Sequence, residues 1–98
     1  MNNTKYFWPK VVQAVPTDNF EVYAYCNDGA VRLYDAKPLL KPGTVFAPLL
    51  DIKTFKERLS VINDTVAWDM TGDHDPRKCI DIDPFTIFSQ KIVADPLE

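Results

Sequence analysis

An Asp28-Gly29 pair stands between two alternating apolar runs, and no other feature constrains the fold of this chain as much. The run before it is Phe20-Glu-Val-Tyr-Ala-Tyr-Cys-Asn27, and the run after it is Ala30-Val-Arg-Leu-Tyr34. Asp-Gly between such runs predicts a β-hairpin with a type I′ turn, because that turn needs φ > 0 at both central residues. This turn sets an expected register. Asn27 faces Ala30, Cys26 faces Val31, Ala24 faces Leu33, and Tyr23 faces Tyr34. One face of the hairpin then carries Val22, Ala24, Cys26, Val31 and Leu33. The other carries Tyr23, Tyr25, Arg32 and Tyr34.

The rest of the chain supplies further elements. Lys10 to Val15 is rich in β-branched residues and ends at the turn cluster Pro16-Thr-Asp-Asn19, which predicts a first strand joined by a hairpin to the second. Asp35 to Gly43 contains two prolines and a glycine and has room for one helical turn at most. Thr44 to Pro48 is read as a short extended piece. Ile52, Phe55 and Leu59 recur at helical spacing, so a helix is expected from Ile52 to Leu59, with the Asp51 carboxylate accepting from the N–H of residue 54. Val61-Ile62, the turn Asn63-Asp64 and Thr65 to Trp68 predict a second, smaller hairpin. Near the C-terminus Asp83 is read as the cap of a short helix with Pro84 in its first turn, which aligns Phe85, Phe88 and Ile92. The alternative for that segment is an edge strand over Thr86 to Val93.

These elements predict one domain over residues 1–98, with 1–9 and 94–98 frayed. The expected fold is α+β and two-layered. An antiparallel sheet of about four or five strands carries one main helix, with a short C-terminal helix. The expected core is Val22, Ala24, Cys26, Val31, Leu33, Phe46, Leu49, Phe55, Leu59 and Trp68. A chain of 98 residues buries about 60–65% of its unfolded surface, enough for one modest core. No apolar run approaches the roughly 20 residues that span a bilayer. The N-terminal Met1-Asn-Asn-Thr-Lys-Tyr-Phe-Trp8 lacks the apolar stretch of a secretory signal. The expected location is the cytoplasm, where Cys26 and Cys79 stay free thiols.

Several segments taken together resemble the bacterial domain of unknown function 2442 family. They are the hairpin Phe20 to Asp35 with its central Asp28-Gly29, then Pro38-Leu-Leu40, Gly43, Val45-Phe46, Pro48-Leu49, Asp51 and Phe55, and finally Ala67-Trp-Asp69, Asp81-Ile-Asp-Pro84 and Ile87-Phe88. The resemblance runs in order over roughly residues 10 to 90, and its specificity lies in that order. Asp69 stands where many members carry proline. The resemblance implies a small α+β fold without an established activity. Some members are fused to or encoded beside other small proteins, including toxin–antitoxin partners.

Few residues offer chemistry. Asp69, Thr71, Asp73 and Asp75 alternate as oxygen ligands would, but the glycine and glutamate positions of a calcium loop are not matched. His74 is the single histidine, and no Ser or Cys stands with it in a recognisable nucleophile motif. Asp69, Asp73, His74 and Asp75 are the candidate set for a small metal-dependent or hydrolytic enzyme. An Asp- and Gly-rich turn accounts for the same residues without any ligand. The three glycines fit no phosphate-binding loop. Tyr23, Tyr25, Arg32 and Tyr34 form the candidate interaction surface, since Tyr and Arg are enriched at interfaces. The same face could stack bases, but a net charge of −3 supplies no attraction for phosphates. The expectation is a non-enzymatic protein-interaction module, antitoxin-like, acting as a homodimer or with a protein partner. Catalytic residues, metal, cofactor, membrane and small-molecule ligand are all expected to be absent.

Overall fold

The computed structural model describes residues 8–97, and its elements follow the expected order. Strands β1 (Val11–Pro16), β2 (Glu21–Cys26) and β3 (Val31–Asp35) form an antiparallel meander. The short 3-10 turns Lys37–Leu39 and Ala47–Leu50 lead to helix α1 (Ile52–Arg58). Strands β4 (Leu59–Ile62), β5 (Thr65–Trp68) and β6 (Ile80–Asp81) follow, then helix α2 (Pro84–Phe88) and strand β7 (Ile92–Val93). The fold is α+β. A four-stranded antiparallel sheet runs β1-β2-β3-β7, and a three-stranded antiparallel sheet runs β4-β5-β6.

The first hairpin sits where Asp28-Gly29 predicts it, but one residue out of the expected register. Tyr25 pairs with Val31, Ala24 with Arg32, Tyr23 with Leu33 and Val22 with Tyr34. The cause is the turn. Gly29 N–H donates to the Cys26 carbonyl at 3.0 Å and Cys26 N–H to the Ala30 carbonyl at 2.9 Å. In this loop Gly29 has a positive φ, +86°, and Asp28 does not. The loop therefore holds three residues, a type I turn closed by a glycine bulge, instead of the two of a type I′ turn. A slip of one residue exchanges the faces of β3. Arg32 and Tyr34 join Val22, Ala24 and Cys26 on the core side, and Val31 and Leu33 join Tyr23 and Tyr25 on the other. The type I′ geometry appears in the second hairpin instead, where Asn63 and Asp64 have φ of 58° and 61°.

Gly29 carries the strain of the first turn alone. A Cβ built there would meet nothing within 4 Å, so a side chain would be resisted by the backbone and not by a neighbour. Gly29→Val should therefore destabilise the domain by about 1 kcal/mol or more, because a β-branched residue resists positive φ. Gly29→Asn should cost less. Urea unfolding of the two variants measures the difference, and equal midpoints would mean that the loop finds another conformation.

Helix α1 is shorter by one residue than its periodicity predicts, because Leu59 turns extended at φ −63°, ψ 134° and begins β4. Asp51 stands at the N-cap, yet its carboxylate accepts from the Thr54 hydroxyl at 2.8 Å and not from the backbone. Thr44 to Pro48 is not extended. Phe46 N–H donates to the Thr44 hydroxyl, Ala47 N–H to the Thr44 carbonyl, and the chain coils into the 3-10 turn. Asp83 does cap α2, its carboxylate accepting from Phe85 N–H at 2.8 Å with Pro84 in the first turn. That helix stops at Phe88, and Ile92–Val93 then pairs with Val31 and Arg32 as an edge strand. Of the expected stripe, Phe85 and Ile92 are exposed, and Ile87 is the helix residue that reaches the core.

The core gathers Val11, Val22, Ala24, Cys26, Tyr34, Ala36, Leu49, Phe55, Val66, Trp68, Ile82 and Ile87, with Phe46 and Leu59 packed at its edge. Leu33 is only half-buried and lies outside it, whereas Val31 is buried, 7% exposed, on the opposite face of the sheet from this cluster. The Phe55 ring lies between Phe20 and Trp68, with centroids 5.3 Å away on both sides. Cys26 is buried, and desolvation pushes its thiol upward in pKa. It packs there as a small apolar residue. No helix among the described residues is long and apolar enough to cross a membrane.

Candidate functional site

Two places collect residues that could act on another molecule. The first is the outer face of the four-stranded sheet. The register lines up Val15, Tyr23 and Leu33 as cross-strand neighbours on β1, β2 and β3. All three are half-buried and none belongs to the core cluster. The next row on this face is Gln13, Tyr25, Val31 and Val93. The chain's own C-terminal segment closes over that row. Val93 pairs with Val31, and the Tyr25 hydroxyl donates to the Asp95 carboxylate. At the other end Glu21 pairs with Asp35, and Lys37 bridges both carboxylates at 3.7 and 2.9 Å.

The expected surface of Tyr23, Tyr25, Arg32 and Tyr34 is thus divided between two faces. Arg32 and Tyr34 are 8% and 7% exposed and lie on the core side. Arg32 forks onto the Asp28 carboxylate with bonds of 3.1 and 3.0 Å, and its guanidinium carbon stands 4.5 Å from the centre of the Phe88 ring. It is a structural cation within the domain. Tyr23 and Tyr25 remain on the outer face, joined there by Val15 and Leu33, which the expected register did not place with them.

The second place is the acidic loop after β5. Asp69 is 7% exposed, and its carboxylate accepts from Gly72 N–H at 2.9 Å and from His74 N–H at 3.0 Å. The same Oδ2 lies 3.2 Å from His74 Nδ1. On the far side of the imidazole, His74 Nε2 meets the Ser60 hydroxyl at 2.8 Å. His74 is held at φ 56°, a left-handed conformation uncommon for a residue with a side chain. The other two acids of the loop turn away. Asp73 accepts from the Thr71 hydroxyl and from Asp75 N–H. Asp75 accepts from Arg77 through backbone and side chain and faces Lys78. Hydrogen bonding holds the Asp73 carboxyl below its ordinary pKa, Thr71 contributing most.

Of Asp69, Asp73, His74 and Asp75, the fold brings together Asp69 and His74 and adds Ser60. Among the described residues, no three acidic, histidine or cysteine side chains group as a metal site. Cys79 makes its contacts with Asn63 and the Pro76 carbonyl and takes no part in the histidine's contacts. One half of the link to Ser60 was within reach of the sequence. Counting back from the Asn63-Asp64 turn pairs Ser60 with Ala67, and the ladder ends with Asp69 N–H on the Arg58 carbonyl. The other half depends on how residues 70–74 coil, which no periodicity describes.

No family model, curated protein or solved structure matches this chain.

Proposed function

We propose that this domain is a protein-interaction module of the kind its resemblance to the domain of unknown function 2442 family implies, antitoxin-like in pairing with a small partner. The observation that supports it is the outer row Val15, Tyr23 and Leu33, an apolar strip that lies outside the core. A sheet face of this kind is stabilised when another layer covers it. Aromatic side chains suit the task, since a ring gives contact area while its hydroxyl stays wet. At one end of the strip Glu21 and Asp35 share Lys37, at the other Asp95 accepts from Tyr25, and the chain as a whole carries a net charge of −3. The partner that fits this acidic chain is a small basic protein presenting an apolar ridge. The acidic balance speaks against nucleic acid.

A photo-crosslinking residue at position 33, introduced in the native host, tests this reading. It should give one adduct with a small basic protein, absent when the same residue stands at position 53 on α1. In the reconstituted pair, Tyr23→Ser plus Leu33→Ser should weaken binding about tenfold or more, as expected for a central aromatic contact. An adduct made only with a second copy of the chain, or no adduct with the purified chain monomeric, would overturn it.

A further inference from the structure

The loop after β5 holds a geometry that the docking strip does not use. Ser60, His74 and Asp69 stand in line, with Oγ hydrogen-bonded to Nε2 at 2.8 Å and Nδ1 lying 3.2 Å from Oδ2. The buried Asp69 carboxylate is fixed by two backbone N–H groups, so it faces Nδ1 as an acceptor. With its proton on Nδ1, facing that carboxylate, the imidazole turns the Nε2 lone pair toward the serine. Such an arrangement is what a general base needs to take a hydroxyl proton, with a third group orienting the base. The three residues come from β4 and from both ends of one loop, so local turn chemistry alone does not bring the serine in. Arg58 packs against the same loop, its Nη1 3.4 Å from where a Cβ on Gly72 would stand.

We propose that Ser60 is an activated nucleophile that attacks small, solvent-borne acyl or phosphonyl electrophiles, with His74 as its base and Asp69 as the positioning residue. With an ester, Ser60 Oγ bonds to the carbonyl carbon and its proton passes to His74 Nε2. The bond from carbon to the alcohol oxygen then breaks, and Nε2 returns the proton to the leaving alcohol. Water repeats the sequence on the acyl-serine, releasing the carboxylic acid and restoring the serine. The open setting, with the histidine side chain 64% exposed, suits electrophiles that need no enclosing pocket. This activity is independent of the docking strip on the other sheet.

The intact domain treated with an alkyl phosphonofluoridate tests it. Ser60 Oγ should bond to phosphorus as fluoride leaves, taking the proton away as hydrogen fluoride. Peptide mass mapping should then place one phosphonyl group on Ser60, with none on Ser89, an exposed serine that donates to the Thr86 carbonyl. Ser60→Ala should abolish the adduct. His74→Gln should slow it about a hundredfold, the lower range for loss of a general base. Both variants should melt close to the parent, whereas a merely structural contact would shift melting and leave labelling unchanged. No adduct on Ser60, equal labelling of Ser89, or parental labelling in His74→Gln would overturn the proposal. None of these outcomes bears on the crosslinking at position 33, so the two readings fail separately.

Discussion

Trp68→Ala should destabilise this domain by about 3–5 kcal/mol, the range for deleting a fully buried large aromatic ring. Trp68 has no exposed surface, packs on Phe55 with centroids 5.3 Å apart, and belongs to β5, the central strand of the second sheet. Its indole N–H donates to the Phe55 carbonyl at 3.2 Å, tying that sheet to α1. A domain of this size has roughly 5–15 kcal/mol of total stability, so the alanine variant should be close to unfolding at 37 °C. Trp68→Phe separates the two contributions. It keeps most of the ring but loses the donor, and should cost about 1–2 kcal/mol for the unpaired carbonyl and the smaller volume. Denaturant unfolding followed by far-UV circular dichroism reads both values. A small loss in Trp68→Ala would place the core's centre elsewhere.

Asp28→Ala should be the second most damaging change. It removes the bidentate partner of Arg32 and leaves a cation 8% exposed with no counter-charge. It also releases Ala30 N–H, which the same carboxylate accepts at 3.1 Å. Breaking a fully buried pair costs about 3–5 kcal/mol. Here the Asp28 side chain is 32% exposed, so water can partly solvate the stranded charge and about 2 kcal/mol is the reasonable expectation. Adding Arg32→Met should recover most of the loss, because the unpaired charge, and not the missing contact, dominates it.

The same pair predicts an acid dependence. Hydrogen bonding to Arg32 holds the Asp28 carboxyl below its usual pKa. The folded state therefore keeps this group ionised at a pH where the unfolded chain has begun to bind a proton. The stabilisation is fully present above the ordinary carboxylate range and is lost as pH falls toward the lowered value in the folded state. Asp28→Asn should accordingly flatten the acid side of the stability profile and leave its neutral-to-basic side parallel to the parent. Asp18 and Asp35 are lowered too, by Lys56 and Lys37, but both sit on the surface where such pairs contribute little.

Much of the architecture was legible because it rests on local chemistry. Asp83-Pro84 announces α2, Asn63-Asp64 announces the second hairpin, and Ile52 and Phe55 announce α1. The errors have a common origin in side chains that decide between near-equal backbone choices. At Asp28-Gly29 the carboxylate accepts from Ala30 N–H and from Arg32, which favours the three-residue loop over the two-residue one. That single residue of register moved Arg32 and Tyr34 inward and Leu33 outward, and so changed which surface could meet a partner. At Thr44 a hydroxyl accepting from Phe46 N–H favoured coiling over extension. The Ser60 to His74 link was only half legible for another reason. It joins a strand to an aperiodic loop, and the spacing of 14 residues follows no element's period.

The order β1-β2-β3-β7 also has a kinetic consequence. The three-strand meander is built from neighbours in sequence and can form early, since such loops close quickly. Its fourth strand is separated from β3 by α1, the whole second sheet and α2. Until those elements have packed, the outer edge of Val31–Asp35 has no partner, and an unpaired strand edge is a template for another chain. The short Ile92–Val93 strand thus works as a late seal. Folding at high concentration, or with Ile92 and Val93 replaced by proline, should divert molecules into edge-paired aggregates before the native sheet is complete.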